Sequence, residues 1–212
     1  MDDSLKDTRP SLPPLEGSEL FEGGAAVEEK PSFGRALIRF FVEAFETLVL
    51  ALILFVTINT VSARIRVDGR SMEPSFHHGE YVIVNKLAYR FGEVERGDVI
   101  VFPSPVTQGE DLIKRVIGLP GDRIEVHGGR VFVNGQALDE PYVMGPTSRD
   151  QPETEVPVGM VFVMGDNRND SSDSRSWGPL PIGDILGQAV FVYWPLADFG
   201  SVTDVESVFA GQ

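Results

Sequence analysis

Three segments carry residue types that could do chemistry. The first is Val67-Asp68-Gly69-Arg70-Ser71-Met72-Glu73-Pro74-Ser75. A serine close to a glycine and followed by a proline sits in an irregular, stiff loop. Such a loop can hold a hydroxyl at a fixed angle and aim a backbone N–H at a substrate carbonyl, which is what a nucleophile with an oxyanion hole requires. Taken alone, a Gly-x-Ser triplet is more often a turn. The second segment is Leu112-Ile113-Lys114-Arg115-Val116-Ile117-Gly118-Leu119-Pro120-Gly121-Asp122. Here a basic pair interrupts an apolar strand. Successive side chains of a strand point to opposite faces, so Lys114 or Arg115 must face whatever its apolar neighbours pack on. Burial disfavours the ammonium form, and a neutral lysine is a competent base, whereas arginine keeps its proton. The ordinary alternative is an edge-strand lysine that blocks aggregation. The third segment, Gly165-Asp166-Asn167-Arg168-Asn169-Asp170-Ser171-Ser172-Asp173-Ser174-Arg175-Ser176, follows an apolar strand. Its interspersed Asp and Arg suggest a network of charge-assisted hydrogen bonds inside an ordered loop, with a solvated loop as the alternative.

Competing chemistries lack their residues. There is no G-x-S-x-G, S-x-x-K, P-loop or H-E-x-x-H pattern, and no cysteine for thiolate catalysis, disulfides or thiolate metal sites. The histidines are His77, His78 and His127. His77 and His78 lie near Ser71 in sequence, but neither has an apolar, orienting context, and a solvated turn is the default reading. The net charge of -14 would repel a phosphate backbone, so nucleic acid is not expected as a partner.

The elements that must position these residues fall into three parts. Residues 1–34 are polar and acidic with scattered prolines and read as a disordered tail. Residues 35–63 read as a helix. Its 17 uncharged positions between Glu46 and Arg64 span about 26 Å, slightly under a hydrocarbon core of about 30 Å, and favour a membrane span over a buried core helix. Basic residues tie on the two sides, so charge does not orient it. Residues 64–212 read as β: short β-branched runs at Tyr81–Asn85, Asp98–Phe102, Leu112–Ile117, Arg123–Val126, Arg130–Asn134, Met160–Met164 and Ala189–Trp194 are separated by turn residues, with a hairpin expected at His127-Gly128-Gly129-Arg130. The fold class is mostly β, an antiparallel sheet or barrel domain preceded by one transmembrane helix.

With all three segments in this order behind a membrane span, the chain resembles the bacterial type I signal peptidases, the membrane-bound Ser-Lys leader peptidases. Ser71-Met72-Glu73-Pro74-Ser75 is similar to the family's nucleophile box, Lys114 to Asp122 to its lysine box, and Gly165-Asp166-Asn167-Arg168 with Ser171 and Asp173-Ser174-Arg175 to its third box. The resemblance covers roughly residues 36 to 195. It implies Ser71 as nucleophile and Lys114 as general base. Ser171 would hydrogen-bond the lysine amine, Asp173 and Arg175 would form a supporting salt bridge, and Arg115 would be a structural partner beside the lysine. The Ser71 N–H would form part of the oxyanion hole. Some members place a hydroxyl two residues before the nucleophile. Here that residue is Gly69, which has none, so the second donor is open. Val67 and Ile113 would help line pockets for small residues, and Met72 borders the nucleophile on the substrate side.

The resemblance further implies secretory preproteins as substrates, cut after small-x-small motifs such as Ala-x-Ala. It implies no cofactor and no metal. The peptide would bind as an added strand. Ser71 lies about 10 residues past the span, at most roughly 33 Å of chain, which keeps the site near the bilayer surface. Function then sets topology: a single pass through the cell membrane, the catalytic domain on the extracytoplasmic side and residues 1–34 in the cytoplasm. Nothing in the sequence sets an oligomeric state. Two rivals remain. A self-cleaving cytosolic Ser-Lys protease would lack the span, and a catalytically inactive membrane-tethered paralogue would act as a binding module.

Overall fold

The computed structural model describes residues 33–202. The tail expected over residues 1–34 therefore lies outside the described residues except for Phe33 and Gly34, as do residues 203–212. The chain divides at Thr47/Leu48 into two compact units.

A single long helix, α1 (Phe33–Val61), crosses that division. It is long and apolar enough to cross a membrane, and none of its residues is buried by protein. Its polar side chains bond back to carbonyls one turn earlier: Thr57 Oγ1 to Ile53 O (2.8 Å), Asn59 Nδ2 to Phe55 O (3.0 Å) and Thr60 Oγ1 to Val56 O (2.8 Å). Hydroxyl donors satisfied in this way do not demand water. The helix starts two residues earlier and ends two residues earlier than expected, because Ser62 already belongs to a strand.

The strands are β1 (Ser62–Arg66), β2 (Tyr81–Asn85), β3 (Val99–Pro103), β4 (Asp111–Gly118), β5 (Arg123–His127), β6 (Arg130–Val133), β7 (Gln136–Ala137), β8 (Gln151–Glu155), β9 (Met160–Met164), β10 (Leu180–Pro181), β11 (Gly187–Trp194) and β12 (Gly200–Ser201). Two short helices interrupt them, α2 (Ala88–Phe91) and α3 (Ser174–Trp177). One sheet runs β1-β2-β11-β3-β4-β9-β10, with β12 added to β11; the other runs β7-β6-β5-β8. Every pairing is antiparallel. At the tip of the β5–β6 hairpin Gly128 and Gly129 both take positive φ (56° and 81°), the two-residue geometry that favours glycine.

Three apolar clusters hold the sheets. Val67, Met72, Phe76, Val82, Val101 and Ile113 form one beside β1 and β2. Ile117, Ile124, Val133, Phe162 and Met164 seal the smaller sheet onto β4 and β9. Ile100, Phe102, Val116 and Val163 pack with Leu180 in the third. Each fully buried aliphatic or aromatic side chain contributes about 1.5–3 kcal/mol. Strands β3, β4 and β9 are therefore covered on both faces. This explains why Lys114 and Arg115, pointing oppositely, are both buried, at 2% and 1% exposed.

Candidate active site

The loop from Val67 to Glu80 is closed on itself before it meets anything else. Val67 N donates to Glu80 O, Gly79 N to Val67 O and Phe76 N to Met72 O. Phe76 and Met72, both 1% exposed, anchor it in the core. Met72 is thus a core residue and not a wall of the cleft beside Ser71. Gly69 adopts φ +93° in open space, and its N–H donates to His78 Nδ1 at 3.2 Å. It therefore supplies no second oxyanion donor. Ser71's own N–H has no partner among the described residues.

Strand β4 delivers the amine. Lys114 Nζ lies 2.8 Å from Ser71 Oγ and donates to Ile113 O at 2.8 Å. Burial lowers its pKa to about 8, against the opposing pull of the Asp173 and Asp166 carboxylates. His77 and His78 take no part in this contact: His77 pairs with Glu80, and His78 holds Gly69.

The third segment clamps the other two. Asn167 N donates to Ser71 O (3.0 Å) and Asn167 Nδ2 to Arg70 O (3.2 Å). Asp166 receives Arg115 Nε (2.9 Å) and Nη2 (2.7 Å) and also the Ser75 hydroxyl, so one carboxylate joins all three segments. Asp173 caps α3, accepting from Gly165 N (3.0 Å), Arg175 Nε (2.8 Å) and Arg175 Nη2 (2.7 Å). Burial by itself would raise the Asp173 carboxyl, but the Arg175 hydrogen bonds and charge outweigh it and hold it below the usual range. Arg175 reaches on to Thr147 Oγ1 (3.0 Å).

Ser171 departs from expectation. Its Oγ is buried and makes no hydrogen bond to Lys114; its polar neighbour is the Asp173 carboxylate, which it helps to hold below the usual range. The hydroxyl packs against Gly165 and beside Asp173. Lys114 is oriented by its own strand's carbonyl instead.

Sequence reasoning missed the partners of Arg168, namely Glu140 and Tyr142. Glu140 forms a two-pronged ion pair with Arg168, whose Nε also donates to Gly165 O (3.0 Å). The Tyr142 ring lies under the Arg115 guanidinium (4.3 Å to the centroid) and near that of Arg168 (6.0 Å). The available signal was Arg168 itself, a guanidinium in an ordered loop that needs a carboxylate from elsewhere.

Residues 39–194 match the family described as signal peptidase, peptidase S26. This chain belongs to that family. A probable signal peptidase I-1 of Synechocystis is 41% identical over 172 residues, covering 77% of this chain and 88% of the relative. A signal peptidase I of Leptolyngbya laminosa is 39% identical and covers 76% and 83% of the two chains. One from Bacillus caldolyticus is 43% identical over 147 residues, covering 63% and 80%. A serine endopeptidase carried on an apolar helix is what family and fold give together.

Proposed function

We propose that this chain is a membrane-anchored signal peptidase in which Ser71 attacks the scissile carbonyl and neutral Lys114 takes its proton. The 2.8 Å approach of a buried lysine amine to the serine oxygen carries this reading. With a pKa near 8, a useful fraction of the amine is neutral at physiological pH. The ammonium then protonates the leaving amine, and the same nitrogen activates the water that hydrolyses the acyl-enzyme. The Ser71 N–H is placed to meet the developing oxyanion. Asp166, Asp173 and their arginines hold the two reactive residues without touching them.

Substrate geometry follows from unused strand edges. β1 ends its sheet, and Asp111–Lys114 pairs with β3 on one side while β9 reaches only Arg115 and beyond on the other. An extended peptide fits between these edges as an added strand. The cleft beside Ser71, walled by Val67, Ile113 and Lys114, holds about 70 Å³, which suits a small side chain. That supports preproteins cut after small-x-small motifs. We read residues 1–34 as cytoplasmic, 35–63 as the anchor in a lipid bilayer and 64–212 as the extracytoplasmic peptidase domain, since a signal peptide offers its cleavage site just outside its own apolar segment.

Cleavage of a preprotein with an Ala-x-Ala site, in detergent, by wild type, Ser71→Ala and Lys114→Ala tests the assignment. Cleavage by wild type alone upholds it. A folded but inert wild type would transfer the chain to the inactive-paralogue reading, and cleavage by Lys114→Ala would remove lysine as the base.

A further inference from the structure

The last two turns of α1 form one wall of a cavity of about 730 Å³. Its other walls are α2 and the segment between β10 and β11. Phe55 and Val56 of the helix line it together with Ile182 and Ile185, and among the described residues no carboxylate lines it. Two cations do, Lys86 and Arg90. Lys86 Nζ donates only to the Asn59 carbonyl (3.3 Å), and the Arg90 side chain has no partner among the described residues. In a chain of net charge -14, two cations with no carboxylate beside them among the described residues, in a cavity walled in part by apolar side chains, suit an anionic ligand.

The depth of the cavity says which anion. The Lys86 N–H bonds to Val61 O at 2.9 Å and its Nζ to Asn59 O, so this ammonium stands level with the last turn of the helix. The uncharged part of the helix, residues 47–61, spans about 22 Å, shorter than a hydrocarbon core of about 30 Å, and such a mismatch draws the flanking residues toward the bilayer. Asn59 and Lys86 therefore stand where acyl chains meet headgroups. Phe91, next to Arg90 and 86% exposed, is the kind of ring that settles at that boundary. Apolar walls on the helix side and cations on the domain side match an amphiphile, not a free phosphate.

We propose that this cavity binds one anionic phospholipid, with its phosphate on Lys86 and Arg90 and its upper acyl chain along Phe55, Val56 and Ile185. The proposal rests on the reading that α1 crosses the bilayer. The bound lipid would hold α2 against the membrane and so fix the domain's height above it.

The test uses the full chain in dodecyl maltoside, titrated with dioleoyl-phosphatidylglycerol or dioleoyl-phosphatidylcholine, with bound lipid counted by native mass spectrometry. Wild type is expected to hold the anionic lipid about tenfold more tightly than the zwitterionic one, since each basic side chain near a charged headgroup adds a several-fold gain. Lys86→Gln with Arg90→Gln should bring the two lipids level, while Lys86→Arg with Arg90→Lys should keep the preference. Equal lipid preference in wild type and the glutamine variant overturns the site. Displacement of the phosphatidylglycerol by glycerol 3-phosphate overturns the lipid as occupant. Alkaline carbonate extraction of native membranes separates the two levels of the argument. Release of wild type would sink the anchor and this site together, whereas retention without a headgroup preference would sink the site alone.

Discussion

Gly165 packs directly against the backbone of Ser71. A methyl group on its Cα would stand far inside van der Waals distance of both the Ser71 carbonyl oxygen and Ser171 Oγ. The same oxygen accepts from Asn167 N, so the Ser71 peptide is held from two sides by one short stretch of chain. Gly165→Ala must push the Ser71 loop off Lys114 or open the third segment. Overpacking of this kind costs about 1–3 kcal/mol, and a shift near 1 Å at a reacting atom costs about a hundredfold in rate. We expect a folded protein with kcat/KM reduced on the order of a hundredfold, read by preprotein cleavage beside a urea titration. Unchanged turnover would mean that this contact does not position Ser71.

The rate should follow the ionisation of Lys114. Below its pKa of about 8 the base is mostly protonated, so kcat/KM is expected to rise about tenfold per pH unit up to that point and to flatten above it. Lys114→Arg keeps the positive charge but removes the titration, since arginine does not lose its proton. It should be inactive throughout pH 6 to 10 while remaining folded. A rate plateau extending well below pH 7 would assign the base to another group.

The same shift makes a stability prediction of defined sign. Lys114 moves from 10.5 in the unfolded chain to about 8 when folded. Between these values the unfolded chain binds more protons, so stability rises with pH across that window. At 1.36 kcal/mol per unit the rise is about 3 kcal/mol at most. Lys114→Met should lack it: more stable than wild type at pH 7, with the advantage gone by pH 10.5. Parallel denaturation curves at both pH values check this, and an identical pH slope in the two proteins would show that the lysine is not desolvated.

The long-range organisation was legible because its signals are local. The apolar run of α1, the seven expected strands and the paired glycines of the β5–β6 turn each depend on a few neighbouring residues. Strands β1, β7, β8, β10 and β12 were not among the expected strands: β7, β10 and β12 are two residues each, β1 begins inside the stretch read as helix, and Gln151–Glu155 of β8 is polar, its pairing with β5 coming from partners distant in sequence. At the site, Ser71 and Lys114 could be named only from the family resemblance of three ordered motifs, and their contact depends on β4 running beside the Ser71 loop. Glu140 and Tyr142 had no signal of their own, since a buried ion pair appears only when both partners meet. Ser171 was read as a partner of the lysine from its position in the motif, and its hydroxyl instead points to the Gly165 side.

Glu140 gives the last prediction. Its carboxylate pairs with Arg168, which is 4% exposed and whose Nε holds Gly165 O. Burial by itself would lower the Arg168 pKa, but the Glu140 charge and hydrogen bond outweigh it and raise it. Without that partner the guanidinium still keeps its proton, because arginine is too basic to lose it in a protein. Glu140→Gln thus leaves an uncompensated buried cation, a loss of about 3–5 kcal/mol. Glu140→Met together with Arg168→Met removes both charges and should be less destabilised than the single variant, because the desolvation cost goes with them. The double variant should still lose activity, because Gly165, and through it Ser71, is no longer tied down. Urea denaturation and preprotein cleavage on both variants read the two effects separately. A double variant as unstable as the single one would show that the pair is held by packing, and full activity in the double variant would show that Arg168 does not position the nucleophile.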